Sequence, residues 1–206
     1  MNFKTVDTLI FDLGNVLFDW NPKKILSRVK KEFPDVPRSL LDITESPVWR
    51  LWDEGFLKRS DVVNFLGDSL DRRWVEKFVS VAQELFVPIS ERKTWLHLFK
   101  TLGCRLYFLS NLSEDMHVPI KSDPIFKYFD GGLFSYEEHL SKPDLRFYVQ
   151  FLKKYPTVVS EQSLFIDDRP ENIRAAQYLG WNGIVCSSFA GTNEILGKNF
   201  CFVSRD

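Results

Sequence analysis

Short runs in which every position is apolar alternate along this chain with longer stretches whose apolar residues recur every three or four positions. Three short runs share one design and end on a polar residue. They are Thr8-Leu9-Ile10-Phe11 before Asp12, Arg105-Leu106-Tyr107-Phe108-Leu109 before Ser110-Asn111, and Ser163-Leu164-Phe165-Ile166 before Asp167-Asp168. A run without polar alternation reads as a strand covered on both faces, as in a parallel sheet between helices. Gly183-Ile184-Val185-Cys186 reads as a fourth strand, and Phe200 to Val203 as a fifth.

The intervening stretches have helical spacing. Trp95, Leu96, Leu98, Phe99 and Leu102 form a stripe that stops at Gly103. Leu145, Tyr148, Val149, Leu152 and Tyr155 form another, ending before Pro156, and a third runs from Pro170 to Leu179 with Gly180 behind it. Proline in a first turn and glycine after a last one are helix boundaries. Strands alternating with helices predict an α/β fold, a doubly wound, Rossmann-like and mostly parallel sheet. In such a sheet the residues at the carboxyl ends of neighbouring strands meet at one crevice. Between the first two strands, residues 17–89 read as helical almost throughout. Val62, Val63, Phe65, Leu66 and Leu70 fall on one helix side, and Trp74, Val75, Phe78, Val79, Ala82 and Leu85 on another. Two parts are expected: a catalytic core of residues 1–16 and 90–206, and a small all-helical cap over 17–89 with a bundle of its own.

Composition narrows the class. With 206 residues, 44% hydrophobic and 27% charged, the chain is long and apolar enough to bury a core without disulfide or metal staples. Its 27 Lys and Arg against 28 Asp and Glu give no bulk attraction to nucleic acid or an anionic membrane, so neither is an expected partner. Cys104, Cys186 and Cys201 are scattered through apolar runs, which predicts free, buried thiols and a reducing compartment. Asp7 and Asp12 interrupt the first apolar stretch, and no stretch reaches the ~18 apolar residues of a membrane span. A cytoplasmic protein is expected, either monomer or dimer.

Asp12, Ser110-Asn111, Lys142 and Asp167-Asp168 all fall at one strand edge or beside it. Singly, each has an ordinary reading as a cap, a loop residue or a solvated lysine. Together, a carboxylate, a hydroxyl, an amine and a second acidic pair supply what phosphoryl transfer requires: a nucleophile, phosphate ligands and a magnesium site.

The order of these groups resembles the haloacid dehalogenase superfamily of hydrolases. Phe11-Asp12-Leu13-Gly14-Asn15-Val16 is similar to its first motif, Leu109-Ser110-Asn111 to its second and Ser141-Lys142-Pro143-Asp144 to its third. Phe165-Ile166-Asp167-Asp168, with Asn172, Ala176 and Gly180, is similar to its fourth. The insert after the first motif, with Glu54-Gly55 and a helix start near Ser60, resembles the small helical cap of one branch. The resemblance implies a phosphomonoester phosphatase in which Asp12 forms an aspartyl-phosphate and Lys142 places positive charge on phosphate and nucleophile. It also implies that Ser110 and the Asn111 backbone N–H hold the phosphoryl oxygens. Magnesium would be bound by Asp12, the Gly14 carbonyl and Asp168, with Asp167 either a ligand through water or an orienting group.

One departure stands out. Phosphatases of the family carry a second Asp two residues after the nucleophile as general acid and base, and here that position is Gly14. A glycine carbonyl can bind a metal and cannot move a proton. The Asp-Leu-Gly-Asn form resembles a subgroup that includes sugar-phosphate phosphatases acting on α-glucose 1-phosphate, so a small phosphorylated sugar is the expected substrate. Asp19, Trp20, Trp49 and Arg50 are candidate walls of its pocket, and a water or Asp19 is a candidate replacement for the missing acid. Two other readings are a catalytically weak or inactive binding protein and a 2-haloacid dehalogenase. The acidic pair Asp167-Asp168 argues against the dehalogenase, which needs no metal.

Overall fold

The computed structural model describes residues 4–204. The chain opens with β1 (Lys4–Val6) and β2 (Thr8–Phe11), then enters a helical segment of α1 (Pro22–Val29), α2 (Pro47–Asp53), α3 (Arg59–Gly67) and α4 (Arg72–Leu85). It returns through α5 (Lys93–Thr101) to β3 (Arg105–Ser110), followed by α6 (Glu114–His117), β4 (Gly131–Phe134), α7 (Ser135–Glu138) and α8 (Leu145–Lys154). The last units are β5 (Ser163–Asp167), α9 (Pro170–Tyr178), β6 (Asn182–Val185), α10 (Phe189–Asn199) and β7 (Phe200–Phe202).

Five parallel strands form the main sheet in the order β4-β3-β2-β5-β6. The chain builds outward from β2 through β3 to β4, then crosses back to lay β5 on the other side of β2. That reversal leaves a crevice at the carboxyl ends of β2, β3 and β5. Phe11 is level with Phe108 and with Ile166, so the residues after these strands emerge at nearly one height.

The apolar runs alternate between two buried layers. Leu9, Phe11, Leu106, Phe108, Leu164 and Ile166 face one cluster, whereas Ile10, Tyr107, Leu109 and Phe165 face the other with α8 and α9 residues such as Phe147 and Ile173. Helix ends follow local chemistry. Asn21 accepts from the Lys24 N–H and Ser46 from the Trp49 N–H, each with proline at the next position. Gly103 and Gly180 end α5 and α9 at φ of 79° and 85°, where a side chain would be strained.

The α/β doubly wound fold is as the sequence predicts, with four differences. Phe200–Phe202 does not join the main sheet but pairs with β1 in a separate two-stranded parallel sheet. The fifth main strand is instead β4, a Gly-Gly-Leu-Phe edge strand with no apolar run to announce it. The helices of 22–85 do pack on one another, yet Trp49, Trp52 and Phe78 belong to the same continuous cluster as Leu9 and Phe11. Finally, Phe65 (58% exposed), Leu98 and Val149 lie on solvent-facing helix sides, and Cys201 is exposed while Cys104 and Cys186 are buried. No helix among the described residues is long and apolar enough to cross a membrane.

Candidate active site

Asp12 leaves the end of β2 with its N–H donating to the Ile166 carbonyl at 2.9 Å. Its Oδ1 accepts from the Leu13 N–H at 2.7 Å and from Lys142 Nζ at 2.8 Å. Its Oδ2 has no hydrogen-bond partner among the described residues. One oxygen is thus held and the other is free in a cleft that also exposes Gly14, Asn111, Lys142 and Asp168.

Lys142 is almost wholly buried and spends its three N–H donors on Asp12 Oδ1, Asp167 Oδ2 at 2.7 Å and the Leu109 carbonyl at 2.8 Å. Burial opposes its ammonium, but the two carboxylates outweigh that and hold its pKa above the usual lysine value. The backbone of Lys142 is clamped by Asn111, whose Nδ2 donates to the Lys142 carbonyl (2.9 Å) and whose Oδ1 accepts from the Lys142 N–H (2.8 Å). The Asn111 side chain therefore positions the lysine, which leaves its backbone for any phosphate. Ser110 is buried at the end of β3 and is not among the residues lining the cleft, whereas Asn111 and Leu112 are.

The two adjacent acids separate in role. Asp167 is fully buried, and both its oxygens are engaged: Oδ2 by Lys142 and Asn172 Nδ2, Oδ1 by Asn172 Nδ2 and the Arg169 N–H. Asp168 lines the cleft and, among the described residues, accepts one hydrogen bond, from Asn15 Nδ2 at 2.9 Å through Oδ2. Burial raises the Asp168 pKa. Asn15 sits in the left-handed region at φ 55°, which asparagine tolerates. Its backbone is reached by the buried Arg92, whose Nη1 donates to the Asn15 carbonyl at 3.5 Å and to the Val16 carbonyl at 3.1 Å.

This donor set fits magnesium. One carboxylate oxygen each from Asp12, Asp167 and Asp168 lie within 4.8 Å of one another. Three carboxylates against one ammonium leave two uncompensated negative charges, which a divalent cation would balance with the hard oxygen ligands it prefers. Burial with only Lys142 beside it pushes the Asp12 carboxyl up to about 7, the behaviour of a buried acid short of positive charge. The turn at Gly14 is tied through Phe18 N–H to Leu13 O and Asn15 N–H to Phe18 O. Neither bond uses the Gly14 carbonyl.

Of the candidate walls, Trp20 and Trp49 line the cleft and Asp19 and Arg50 do not. Asp19 is ion-paired with Lys24 at 2.6 Å, and Arg50 is exposed on α2. Trp20 packs against Trp49 and Phe86 with ring centroids at 5.8 Å and 6.3 Å. Phe86, Leu112, Met116, Thr44, Glu45, Asp53 and Arg169 complete the wall. The sequence reading gave no role to Asn15, Arg92 or Asp53. The residue type at Asn15, able to adopt a left-handed turn beside the nucleophile, was the one local signal available; Arg92 and Asp53 are brought in by tertiary packing.

Comparison with known proteins places the chain. No protein-family model matches it. It is 31% identical over 186 residues to the sesquiterpene phosphatase astK of Aspergillus oryzae, covering 87% of this chain and 89% of that one. Drimenol cyclase drtB of Aspergillus calidoustus matches at 28% over 186 residues, 87% of this chain and 34% of that longer protein. Among solved structures, the HAD family enzyme bt-2542 of Bacteroides thetaiotaomicron superimposes with a TM-score of 0.71 at 17% identity, covering 92% of this chain and 99% of that one. The bt-2542 enzyme has also been solved in complex with magnesium and inorganic phosphate. An L-2-haloacid dehalogenase of Xanthobacter autotrophicus matches at TM-score 0.65 and 14% identity, covering 96% of this chain and 85% of that one; the fold is therefore shared across different chemistries. With the ordered groups of Asp12, Asn111, Lys142 and Asp167-Asp168 gathered at one strand edge, the chain belongs to the haloacid dehalogenase superfamily of hydrolases.

Proposed function

We propose that the chain is a magnesium-dependent phosphatase that hydrolyses a phosphomonoester through an aspartyl-phosphate on Asp12, and that the alcohol it releases is largely apolar. The observation that carries the reading is the free Asp12 Oδ2, held in the cleft by a carboxylate whose other oxygen is fixed by Lys142. Attack of Oδ2 on phosphorus expels the alcohol oxygen, and water then attacks the phosphorus of the aspartyl-phosphate to return the carboxylate and release phosphate. Lys142 favours the ionised form of Asp12 against burial and aims it. The Asn111 N–H is the proposed phosphoryl contact, since Ser110, expected in that role, is buried and does not line the cleft. Asp12, Asp168 and the Gly14 carbonyl are the proposed metal ligands, with Asp167 holding Lys142 and the turn behind them. When bound, magnesium supplies fixed positive charge against the phosphoryl oxygens.

The wall of Trp20, Trp49, Phe86, Leu112 and Met116 supports an apolar alcohol. So does likeness to a protein named a sesquiterpene phosphatase, and a terpenyl monophosphate is the substrate class of choice. The phosphorylated sugar suggested by the Asp-Leu-Gly-Asn motif is the second reading, with Thr44, Glu45, Asp53 and Arg169 as hydrogen-bonding partners in the same cleft. The test is phosphate release from farnesyl monophosphate, α-glucose 1-phosphate and para-nitrophenyl phosphate, with and without magnesium. Magnesium-dependent turnover that Asp12→Asn abolishes, with farnesyl monophosphate preferred, is the expected result. Preference for glucose 1-phosphate would replace the alcohol assignment. No turnover of any substrate by folded protein would favour a binding role.

A further inference from the structure

Gly14 leaves the cleft without a proton donor where the phosphatases it resembles carry one, and the core offers no obvious replacement. Asp12 is committed as nucleophile, Asp168 faces the proposed metal, and Asp167 has both oxygens engaged. We propose that Asp53, at the end of α2, is the catalytic acid and base of this active site, donating a proton to the departing alcohol oxygen and taking one from the attacking water. The proposal rests on the phosphatase reading above.

Placement is the first argument. Asp53 lines the same cleft as Asp12 and Gly14, approaching from the helical side while they approach from the sheet. The other helical-segment acid in the cleft, Glu45, is exposed and faces Arg169 at 3.6 Å. Asp53 pairs with no cation among the described residues. Trp49, Phe86 and Met116 line the same cleft.

Rigidity is the second. The end of α2 is fastened to the sheet side by several independent bonds. Ser135 Oγ donates to the Asp53 carbonyl, and Ser141 Oγ donates to Glu54 Oε1 at 2.6 Å. Trp52 Nε1 donates to Asp115 Oδ2 at 2.8 Å. The Ser113 backbone N–H, just beyond the second motif, is close enough to lower the Asp53 pKa. A proton donor must be held within hydrogen-bond reach of its target, and these bonds fix the backbone from which the Asp53 side chain projects.

Chemistry is the third. Burial pushes the Asp53 carboxyl up to about 8, against the lowering effect of the Ser113 N–H, and the nearby charges of Glu54 and Asp12 push the same way. That shift favours its protonated, proton-donating form. Two carboxyl groups share the cleft in unlike surroundings: Asp12 holds an ammonium and Asp53 holds a proton, the division of labour that acid–base catalysis uses. In the first step the Asp12–phosphorus bond forms, the phosphorus–alcohol bond breaks, and the electron pair left on the alcohol oxygen takes the Asp53 proton. In the second, Asp53 takes a proton from water as its oxygen bonds to phosphorus, and the Asp12–phosphorus bond breaks. The cycle returns both carboxyl groups to their starting states.

The test compares kcat/KM for a primary alkyl monophosphate and for para-nitrophenyl phosphate in wild type and Asp53→Asn, in saturating magnesium. An alkoxide needs the proton and nitrophenolate does not. The ratio of alkyl to nitrophenyl kcat/KM should fall by about 10²-fold or more in the variant, within the ~10²–10⁴ range of general acid–base catalysis. The variant should also release a burst of nitrophenolate, because the second step has lost its base. An unchanged ratio, with both substrates slowed alike, overturns the proposal and makes Asp53 a structural residue. Where melting shows that Asp53→Asn does not fold, Asp53→Glu carries the test: displacing the carboxyl by one methylene lowers the same ratio, and an unchanged ratio overturns the assignment. Absence of magnesium-dependent turnover in the wild type with either substrate is a different outcome and would overturn the phosphatase reading on which this one stands.

Discussion

Lys142 and Asp53 show how one cleft keeps like groups chemically distinct. The Lys142 ammonium lies between Asp12 and Asp167 with its side chain 1% exposed, so it serves as a fixed counter-ion rather than a mobile phosphate hook. Both its carboxylate partners would become uncompensated buried charges without it. Asp53 is half-buried and has no such partner among the described residues, and its removal from water favours its protonated form. That has a consequence for stability. Asp53 binds its proton more tightly in the folded state, at about 8 against an ordinary value of 3.8. The folded state therefore holds the extra proton between about pH 4 and about pH 8, and stability falls as pH rises through that window. Melting temperatures in the absence of divalent cations should drop across this range more steeply in wild type than in Asp53→Asn. Equal slopes would show that Asp53 binds its proton no more tightly in the folded state. The types at Asp12, Lys142 and Asp167-Asp168 were legible in the sequence because each follows or faces an unmistakable apolar run. Asp53 was not, because a lone aspartate near Glu54-Gly55 looks like any helix end until the sheet is packed against it.

At the level of elements, β2, β3, β5 and β6 were legible because helices cover both faces, leaving runs with no polar alternation. The edge strand β4 hid behind two glycines. Gly131 and Gly132 lie against Tyr155 and the Phe108 ring so closely that a Cβ at either would overlap them, and the Tyr155 hydroxyl both accepts from the Gly132 N–H and donates to its carbonyl. Bare backbone is what lets an aromatic side chain close this edge of the sheet. Gly132→Ala should therefore destabilise the protein by about 1–3 kcal/mol, the usual cost of overpacking, measured by urea unfolding. A loss below about 0.5 kcal/mol would show that the Phe108 ring moves aside freely. The same logic explains β7. Phe200, Cys201 and Phe202 have strand character, but pairing depends on which edge is available, and β1 offers one outside the main sheet.

Over the whole molecule, the sheet and the helical layer bring an excess of negative charge together in the cleft. Three clustered carboxylates and one lysine leave the folded state with a site for a divalent cation that the unfolded chain lacks, so magnesium should raise the melting temperature by mass action. At about 100 times its dissociation constant the gain is about 2.7 kcal/mol. Potassium chloride of equal ionic strength should not reproduce it, and Asp168→Ala should fold while losing the shift; a shift retained in Asp168→Ala would remove that residue from the ligand set. The sequence by itself determined the parallel sheet and the order of its chemical groups, because two-sided burial and strand-end polarity are written in adjacent residues. It also determined the missing acid at Gly14. Only the tertiary structure decided which acid is sealed behind Lys142 and which faces the cleft, that tryptophans rather than Asp19 and Arg50 wall it, and that Asp53 enters from the helical side. Those choices depend on distances between residues far apart in the chain, and packing sets such distances.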